Sequence, residues 1–265
     1  MKTISELISL NGRIALVTGA CGCLGKVIAE TLAELGCNLL LLDKCLDQLS
    51  ILESDIKNAF QVKAEIIDCD LESQESRDLT IKKVSKQENL DILINNAAFV
   101  GSSNLHGWSE PFELQSVDTW KRALEVNLTS VFHLTQGCYS LLEKSNGCII
   151  NIGSIYGKLG PDWNLYNGTE MGNPAAYAAS KGGLIQLTRW FSTTLAPKVR
   201  VNCISPGGIY RNQPKEFVER YEAKTPLKRM AYEEDFKGII TYLATNMSSY
   251  TTGQNFIIDG GYSIA

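Results

Sequence analysis

The chain lacks an excess of positive charge. Its 25 lysines and arginines are outnumbered by 29 aspartates and glutamates, a net charge of −4 over 265 residues. That balance excludes a protein that grips duplex nucleic acid through a basic face, though not one with a small phosphorylated substrate. It also lacks any CxxC pair. The eight cysteines stand at 21, 23, 37, 45, 69, 138, 148 and 203, so neither a disulfide scaffold nor a structural zinc site is expected. Most sit in apolar stretches as small hydrophobes, which suits a reducing, cytoplasmic compartment. Long apolar runs are missing too. The longest leucine run, Leu39 to Leu42, falls far short of the ~20 residues that span a bilayer. Met1 to Leu10 carries Lys2 and Glu6 without the apolar centre of an export signal. No membrane partner is therefore expected. Histidine is scarce: His106 and His133 are the only two, neither has metal-ligand company, and no metal is expected. There is no repeat, low-complexity tract or charge block that would mark a linker.

What is present reads as one α/β domain over 1–265. Apolar residues make up 44% and charged residues 20%, ordinary values for a globular enzyme. Short apolar runs of strand length alternate with longer stretches of helical spacing. The runs Arg13–Thr18, Cys37–Leu42, Gln61–Ile67, Leu90–Ile94, Cys148–Ile152, Val199–Ile204 and Asn255–Ile258 predict seven strands. Between them, helices are expected over 24–35, 48–58, 72–86, 118–144 (capped by Asp118), 174–195 and 233–244. Such alternation gives parallel strands joined by helical crossovers. The near-continuous apolar strands place helices on both faces. The expected fold is a doubly wound, Rossmann-type sandwich around a seven-stranded parallel sheet. Ligands of such sheets bind beyond the carboxyl ends of the strands.

The first strand is followed at once by Thr18-Gly19-Ala20-Cys21-Gly22-Cys23-Leu24-Gly25, and then by a helix. Glycines there allow a tight turn and let a pyrophosphate approach the helix N-terminus, where backbone N–H groups and the helix dipole favour its charge. Asp43 ends the second strand, 18 residues beyond Gly25, close to the ~20 expected of the acid that accepts the adenosine ribose hydroxyls. A carboxylate there repels a 2′-phosphate, so NAD is the expected cofactor rather than NADP; Lys44 beside it tempers that preference.

Tyr177 and Lys181 are four apart in a predicted helix and share a face. Of the ten tyrosines, only Tyr177 has a lysine at that spacing. A free phenol, with a pKa near ~10, is a poor base at neutral pH. A neighbouring ammonium favours the phenolate, which lets Tyr177 exchange a proton with an alcohol or carbonyl oxygen. Ser154 follows the fifth strand and reaches the same sheet edge, where its hydroxyl can polarise a carbonyl.

These residues together resemble the short-chain dehydrogenase/reductase family, in its compact form. The resemblance is carried by Thr18–Gly25, Asp70, Asn95-Asn96-Ala97-Ala98, Asn127, Ser154, Tyr177, Lys181, Pro206-Gly207 and Ile258-Asp259-Gly260-Gly261, and spans nearly the whole chain. It implies catalytic roles for Asn127, Ser154, Tyr177 and Lys181, with Asn127 holding a water that relays protons from Lys181. It implies that Gly19, Cys23, Leu24, Asp43, Asp70, Leu71, Asn96, Ala97, Tyr177, Lys181, Pro206, Gly207 and Ile209 meet the dinucleotide: Asp70 near the adenine, Ala97 along the cofactor, Pro206 to Ile209 at the nicotinamide. It further implies a substrate lid at 208–225 and a homotetramer packed through the helices of Asn127 and Tyr177.

Two features depart from that pattern. Cys23 stands where compact members carry glycine, and the glycines at 19, 22 and 25 resemble the spacing of the family's longer, nucleotide-sugar-modifying branch. The stretch between Ser154 and Tyr177 is 22 residues, 155–176, longer than is usual for the family and beyond the ~12–15 at which loops become functional or disordered. Its Asp162, Trp163, Asn164, Tyr166, Asn167 and Glu170 suit a polyol or sugar; a subunit contact is the alternative. Ser154, Tyr166, Tyr177 and Arg211 are the expected substrate contacts, Arg211 either pairing with a phosphate or carboxylate or standing as a plain surface charge. The stretches 164–168, 180–190 and 211–220 resemble bacterial members linked to flagellin glycosylation and nonulosonic sugar synthesis. The reading is an NAD-dependent oxidoreductase acting on a secondary alcohol or ketone of a sugar. Alternatives are a gluconate-type polyol dehydrogenase, a non-catalytic dinucleotide-binding regulator, and a structural oligomer component.

Overall fold

A computed structural model describes residues 1–99 and 105–265. Seven strands run β1 (Ile14–Thr18), β2 (Asn38–Asp43), β3 (Ala64–Asp68), β4 (Ile92–Asn95), β5 (Cys148–Ile152), β6 (Arg200–Pro206) and β7 (Asn255–Ile258). They form one sheet in the order β3-β2-β1-β4-β5-β6-β7, every neighbouring pair parallel. The order reverses between β1 and β4, so a crevice opens at their carboxyl ends.

The helices are α1 (Ile4–Ile8), α2 (Cys23–Glu34), α3 (Leu46–Ala59), α4 (Gln74–Val84), α5 (Val117–Leu124), α6 (Ser130–Ser145), α7 (Ala175–Thr194), α8 (Lys215–Lys224) and α9 (Lys237–Ala244). Side chains alternate along each strand, so the sheet has two dry faces. Ala15, Val17, Leu39 and Leu41 pack with Ile28 and Leu32 of α2, Leu49 of α3 and Ile240 of α9. Leu16, Leu40 and Leu42 pack on the other face with Val84 of α4, Leu134 of α6 and Leu184 of α7. Among the described residues no helix is long and apolar enough to cross a membrane.

Three expectations about elements change. The helix expected over 118–144 is two helices, α5 and α6, separated by a π turn at Glu125–Thr129. Its cap is Ser116 rather than Asp118: the Ser116 hydroxyl accepts from the Thr119 N–H at 3.0 Å, while Asp118 lies inside the first turn. The lid expected at 208–225 contains a helix, α8. The stretch 155–176 is ordered by two 3₁₀ turns, Ile155–Gly157 and Trp163–Tyr166. Leu165 and Tyr166 pack against Phe217, Tyr221 and Tyr262. Arg220 of α8 donates to the carbonyls of Asn164, Leu165 and Asn167, and Lys224 pairs with Asp162 at 3.0 Å. Insertion and lid are thus one packed unit.

Candidate active site

The glycine turn is built by two close approaches. Gly19 has φ +63°, and a Cβ there would lie 2.7 Å from the Ala97 Cα; at Gly25 a Cβ would overlap the Gly19 carbonyl oxygen. The Asn95–Ala98 stretch braces the turn from behind. The Thr18 hydroxyl accepts from the N–H groups of Asn96 and Ala97, at 3.0 and 3.1 Å. The Asn96 amide donates to the carbonyls of Thr18 and Gly19, both at 3.0 Å. Gly22 caps α2 without any side-chain bond, which leaves first-turn N–H groups facing the crevice. Asp43 reaches back into this turn: its carboxylate accepts from the Cys21 N–H at 3.0 Å and from the Lys44 N–H at 2.8 Å.

One cleft of about 520 Å³ runs along the carboxyl ends of the strands. All the expected dinucleotide contacts line it: Gly19, Cys23, Leu24, Asp43, Asp70, Leu71, Asn96, Ala97, Tyr177, Lys181, Pro206, Gly207 and Ile209. Ser154 and Arg211 line it as well. Two expected residues lie elsewhere. Asn127 sits behind the cleft, buried within the π turn: its carboxamide oxygen accepts from the Phe99 N–H at 2.6 Å and its Nδ2 donates to the Ser180 hydroxyl at 3.0 Å. Ser180 in turn donates to the Tyr177 carbonyl at 2.8 Å. Tyr166 is absent from the cleft. Its hydroxyl bonds that of Tyr156 at 2.9 Å, and it lines a second cavity. Gln48, Phe99, Val126 and Gln213 line the cleft without having been singled out. Gln213 follows Arg211 closely enough to be suspected; Phe99 and Val126 carry no chemical signal, because packing alone brings them there.

The electrostatics differ from the expectation for a simple tyrosine–lysine pair. Lys181 is fully buried, and its ammonium donates to the Ile152 carbonyl at 2.7 Å. Burial pulls its pKa down to about 8. Its Nζ lies 5.7 Å from the centre of the Tyr177 ring. Burial raises the Tyr177 pKa, opposed by a hydrogen bond with Ser154 and by the charge of Arg211. Arg211, whose charge favours the phenolate, is itself paired with Glu233 at 3.1 Å. Ser154 is set by its place: it follows the end of β5 by two residues, caps the Ile155–Gly157 turn and accepts from the Tyr156 N–H at 3.1 Å.

Removing a cation disfavours phenolate, so Arg211→Ala is expected to move the rising limb of the pH–rate profile for alcohol oxidation to higher pH. Steady-state rates across pH check it; an unmoved limb would show that the Arg211 charge does not reach Tyr177 during turnover.

Comparison with known proteins adds the following. A family model described as enoyl-(acyl carrier protein) reductase matches residues 19–263. The 3-oxoacyl-(acyl-carrier-protein) reductase FabG of Aquifex aeolicus is 30% identical over 261 residues, covering 96% of this chain and 98% of that one. Post-translational flagellin modification protein A of Campylobacter coli is 29% identical, covering 96% and 100%. Among solved structures, an NAD+-bound xylitol dehydrogenase superposes with a TM-score of 0.84 at 30% identity, covering 95% and 99%. An NADPH-dependent 3-quinuclidinone reductase from Rhodotorula rubra gives 0.89 at 26% identity, covering 100% and 96%.

Proposed function

The chain belongs to the short-chain dehydrogenase/reductase family, an oxidoreductase acting on CH–OH groups with a nicotinamide dinucleotide, and from that premise we propose that its cofactor is NAD and its substrate a secondary alcohol or ketone of a sugar. Asp43 carries the cofactor choice. It stands in the cleft at the end of β2, where a carboxylate accepts ribose hydroxyls and repels a 2′-phosphate. The residues present fit the dinucleotide: the uncapped start of α2 with Gly19, Cys23 and Leu24 for the pyrophosphate, Asp70 and Leu71 for the adenine, Asn96 and Ala97 along its length, and Pro206, Gly207 and Ile209 at the nicotinamide end. When bound, the nicotinamide gives or takes the hydride.

The protein's own residues handle the proton and the orientation. Tyr177 exchanges the proton with the substrate oxygen. Ser154, which lines the cleft with Tyr177, polarises the same oxygen. Lys181, fixed on the Ile152 carbonyl, holds the ribose and lends its charge to the phenol. Asn127 ties the π turn to α7 through Ser180 and holds the water that links Lys181 to solvent as a proton relay. Arg211 takes an anionic substituent of the substrate, a carboxylate or phosphate. The aromatic and hydrogen-bonding side chains of the 155–176 unit support a polyhydroxyl substrate, as does likeness to a protein named for xylitol and to one named for flagellin modification. A gluconate-type dehydrogenase falls within the same reading. The assembly proposed is a homotetramer, supported by exposed Phe132 on α6 and Trp190 on α7; Leu184, an apolar residue of the same helix, is core instead. Eight free thiols support a cytoplasmic setting.

Titration with both cofactors tests the first half: NAD(H) should bind more tightly than NADP(H), and Asp43→Ala should narrow the gap. Tighter NADP(H) binding refutes it. A panel of polyols, aldonates, sugar phosphates, nucleotide sugars and a 3-oxoacyl thioester, followed by NADH absorbance, tests the second half. Fastest turnover of the thioester would refute the sugar reading.

A further inference from the structure

A second cavity, of about 600 Å³, lies across the first turn of α7 from the cleft. Tyr177 lines the cleft, whereas Ala175 and Ala178 line this cavity. Its walls are the 161–173 part of the insertion and the 109–115 segment.

Three observations say what it takes. Asn173, in the wall, is only 7% exposed, and neither its Nδ2 nor its Oδ1 has a hydrogen-bond partner among the described residues. A buried amide left unpaired is costly to the fold, and here it offers a donor and an acceptor side by side. The Tyr166 hydroxyl, bonded to that of Tyr156 at 2.9 Å, is the polar neighbour of the Asn173 amide but lies outside hydrogen-bond geometry with it. The other amide of the wall, Gln115, is bonded at both ends: it accepts from the Ala175 N–H at 3.0 Å and donates to the Glu110 carbonyl at 3.1 Å. Next, two aromatic side chains of the wall present themselves openly, Trp163 at 58% and Phe112 at 82% exposure. Lastly, Glu110 and Glu170 line the cavity, and no lysine or arginine does among the described residues. Carboxylates accept hydrogen bonds from hydroxyls and repel phosphate.

We propose that this cavity binds one uncharged pyranose unit. Asn173 bridges two vicinal hydroxyls, one as acceptor and one as donor; Trp163 and Phe112 cover the C–H face of the ring; Glu110 and Glu170 accept further hydroxyls. The proposal rests on the sugar reading above and deepens it: the reacting sugar meets Tyr177 as one end of a longer glycoside. The two ends are sorted by charge, since Arg211 stands in the cleft and two carboxylates stand here.

Methyl α-D-glucopyranoside is the probe, with D-glucose 6-phosphate as its charged counterpart, each titrated into the cofactor-free chain by saturation-transfer NMR. The neutral glycoside should bind saturably and at least tenfold more tightly than the phosphate. Asn173→Leu and Trp163→Ala should each weaken it at least tenfold. Asn173→Leu should also keep or raise the melting temperature, because it replaces an unpaired amide by an apolar group of similar shape. Trp163 is exposed, so its variant tests the site without risk to the fold. Absence of saturable binding, tighter binding of the phosphate, or wild-type affinity in both variants overturns the proposal. Tyr177→Phe should bind the probe as the parent does. A chain that binds the probe in this pattern but turns over no sugar keeps the site and loses the functional reading; a chain that turns over sugars without binding the probe does the reverse.

Discussion

Tyr177→Phe is expected to lower kcat by ~10²–10⁴-fold, the usual worth of a positioned acid–base group, with little change in NAD affinity. The substitution removes one oxygen and keeps the ring that packs 5.7 Å from the Lys181 ammonium, so the fold has no reason to respond. What is lost is the hydroxyl that shares the cleft with Ser154 and Arg211. Neither neighbour can replace it: a serine hydroxyl is a far weaker acid than a phenol, and a guanidinium does not release its proton in proteins. Lys181 is held on the Ile152 carbonyl at 2.7 Å. Steady-state turnover and a cofactor titration on the same preparation separate the two effects. Near-normal turnover would transfer the acid–base role to another group, the 155–176 unit being the place to look first.

Gly25→Ala is expected to abolish most cofactor affinity, at least tenfold, and to destabilise the chain by ~1–3 kcal/mol, the usual cost of forcing extra atoms into a packed site. The added Cβ would overlap the Gly19 carbonyl oxygen. That oxygen belongs to backbone, already fixed by the Asn96 amide at 3.0 Å, so neither side can yield by a rotamer change. Either α2 moves away from the turn or the turn opens; both displace the N–H groups offered to the pyrophosphate. For a chain of this size the stability loss corresponds to ~2–4 °C in Tm per kcal/mol. Gly160→Ala is the control, because nothing lies within 4 Å of a Cβ there, and it should leave both readouts unmoved. A Gly25→Ala protein with parental affinity would mean that the first turn of α2 is not where the cofactor's charge is held.

Local pattern carries part of this molecule. Strand–helix alternation is a short-range signal, so β5 and β7 fall at the residues the apolar runs mark, and the other strands within three residues of them. Tyr177 and Lys181 share a helix face whatever surrounds them, because helix geometry fixes the i, i+4 relation. The glycines at 19 and 25 are likewise legible, since a turn between a strand and a helix has few other ways to close. Less was legible where a helix departs from regularity. The apolar spacing of 118–144 is continuous, and nothing in it announces the π turn at Glu125–Thr129 that turns Asn127 towards Phe99 and Ser180. Nor did polar composition alone announce α8, whose buried Phe217 and Tyr221 draw their partners from the insertion.

The sequence by itself determined the doubly wound sheet, the crevice at its carboxyl edge, and the glycine turn, Asp43, Ser154, Tyr177 and Lys181 beside that crevice. Each follows from local periodicity or from its position directly after a strand, and a parallel sheet gathers all strand ends on one side. Tertiary structure alone decided which polar groups find partners. Packing set Lys181 against the Ile152 carbonyl and brought Arg211 into the cleft with Tyr177. It folded the insertion onto α8, committed Tyr166 to Tyr156, and sealed Asn173 in a wall with no partner. Those outcomes depend on contacts between residues ten or more positions apart, where small differences in burial outweigh any preference that neighbouring residues express.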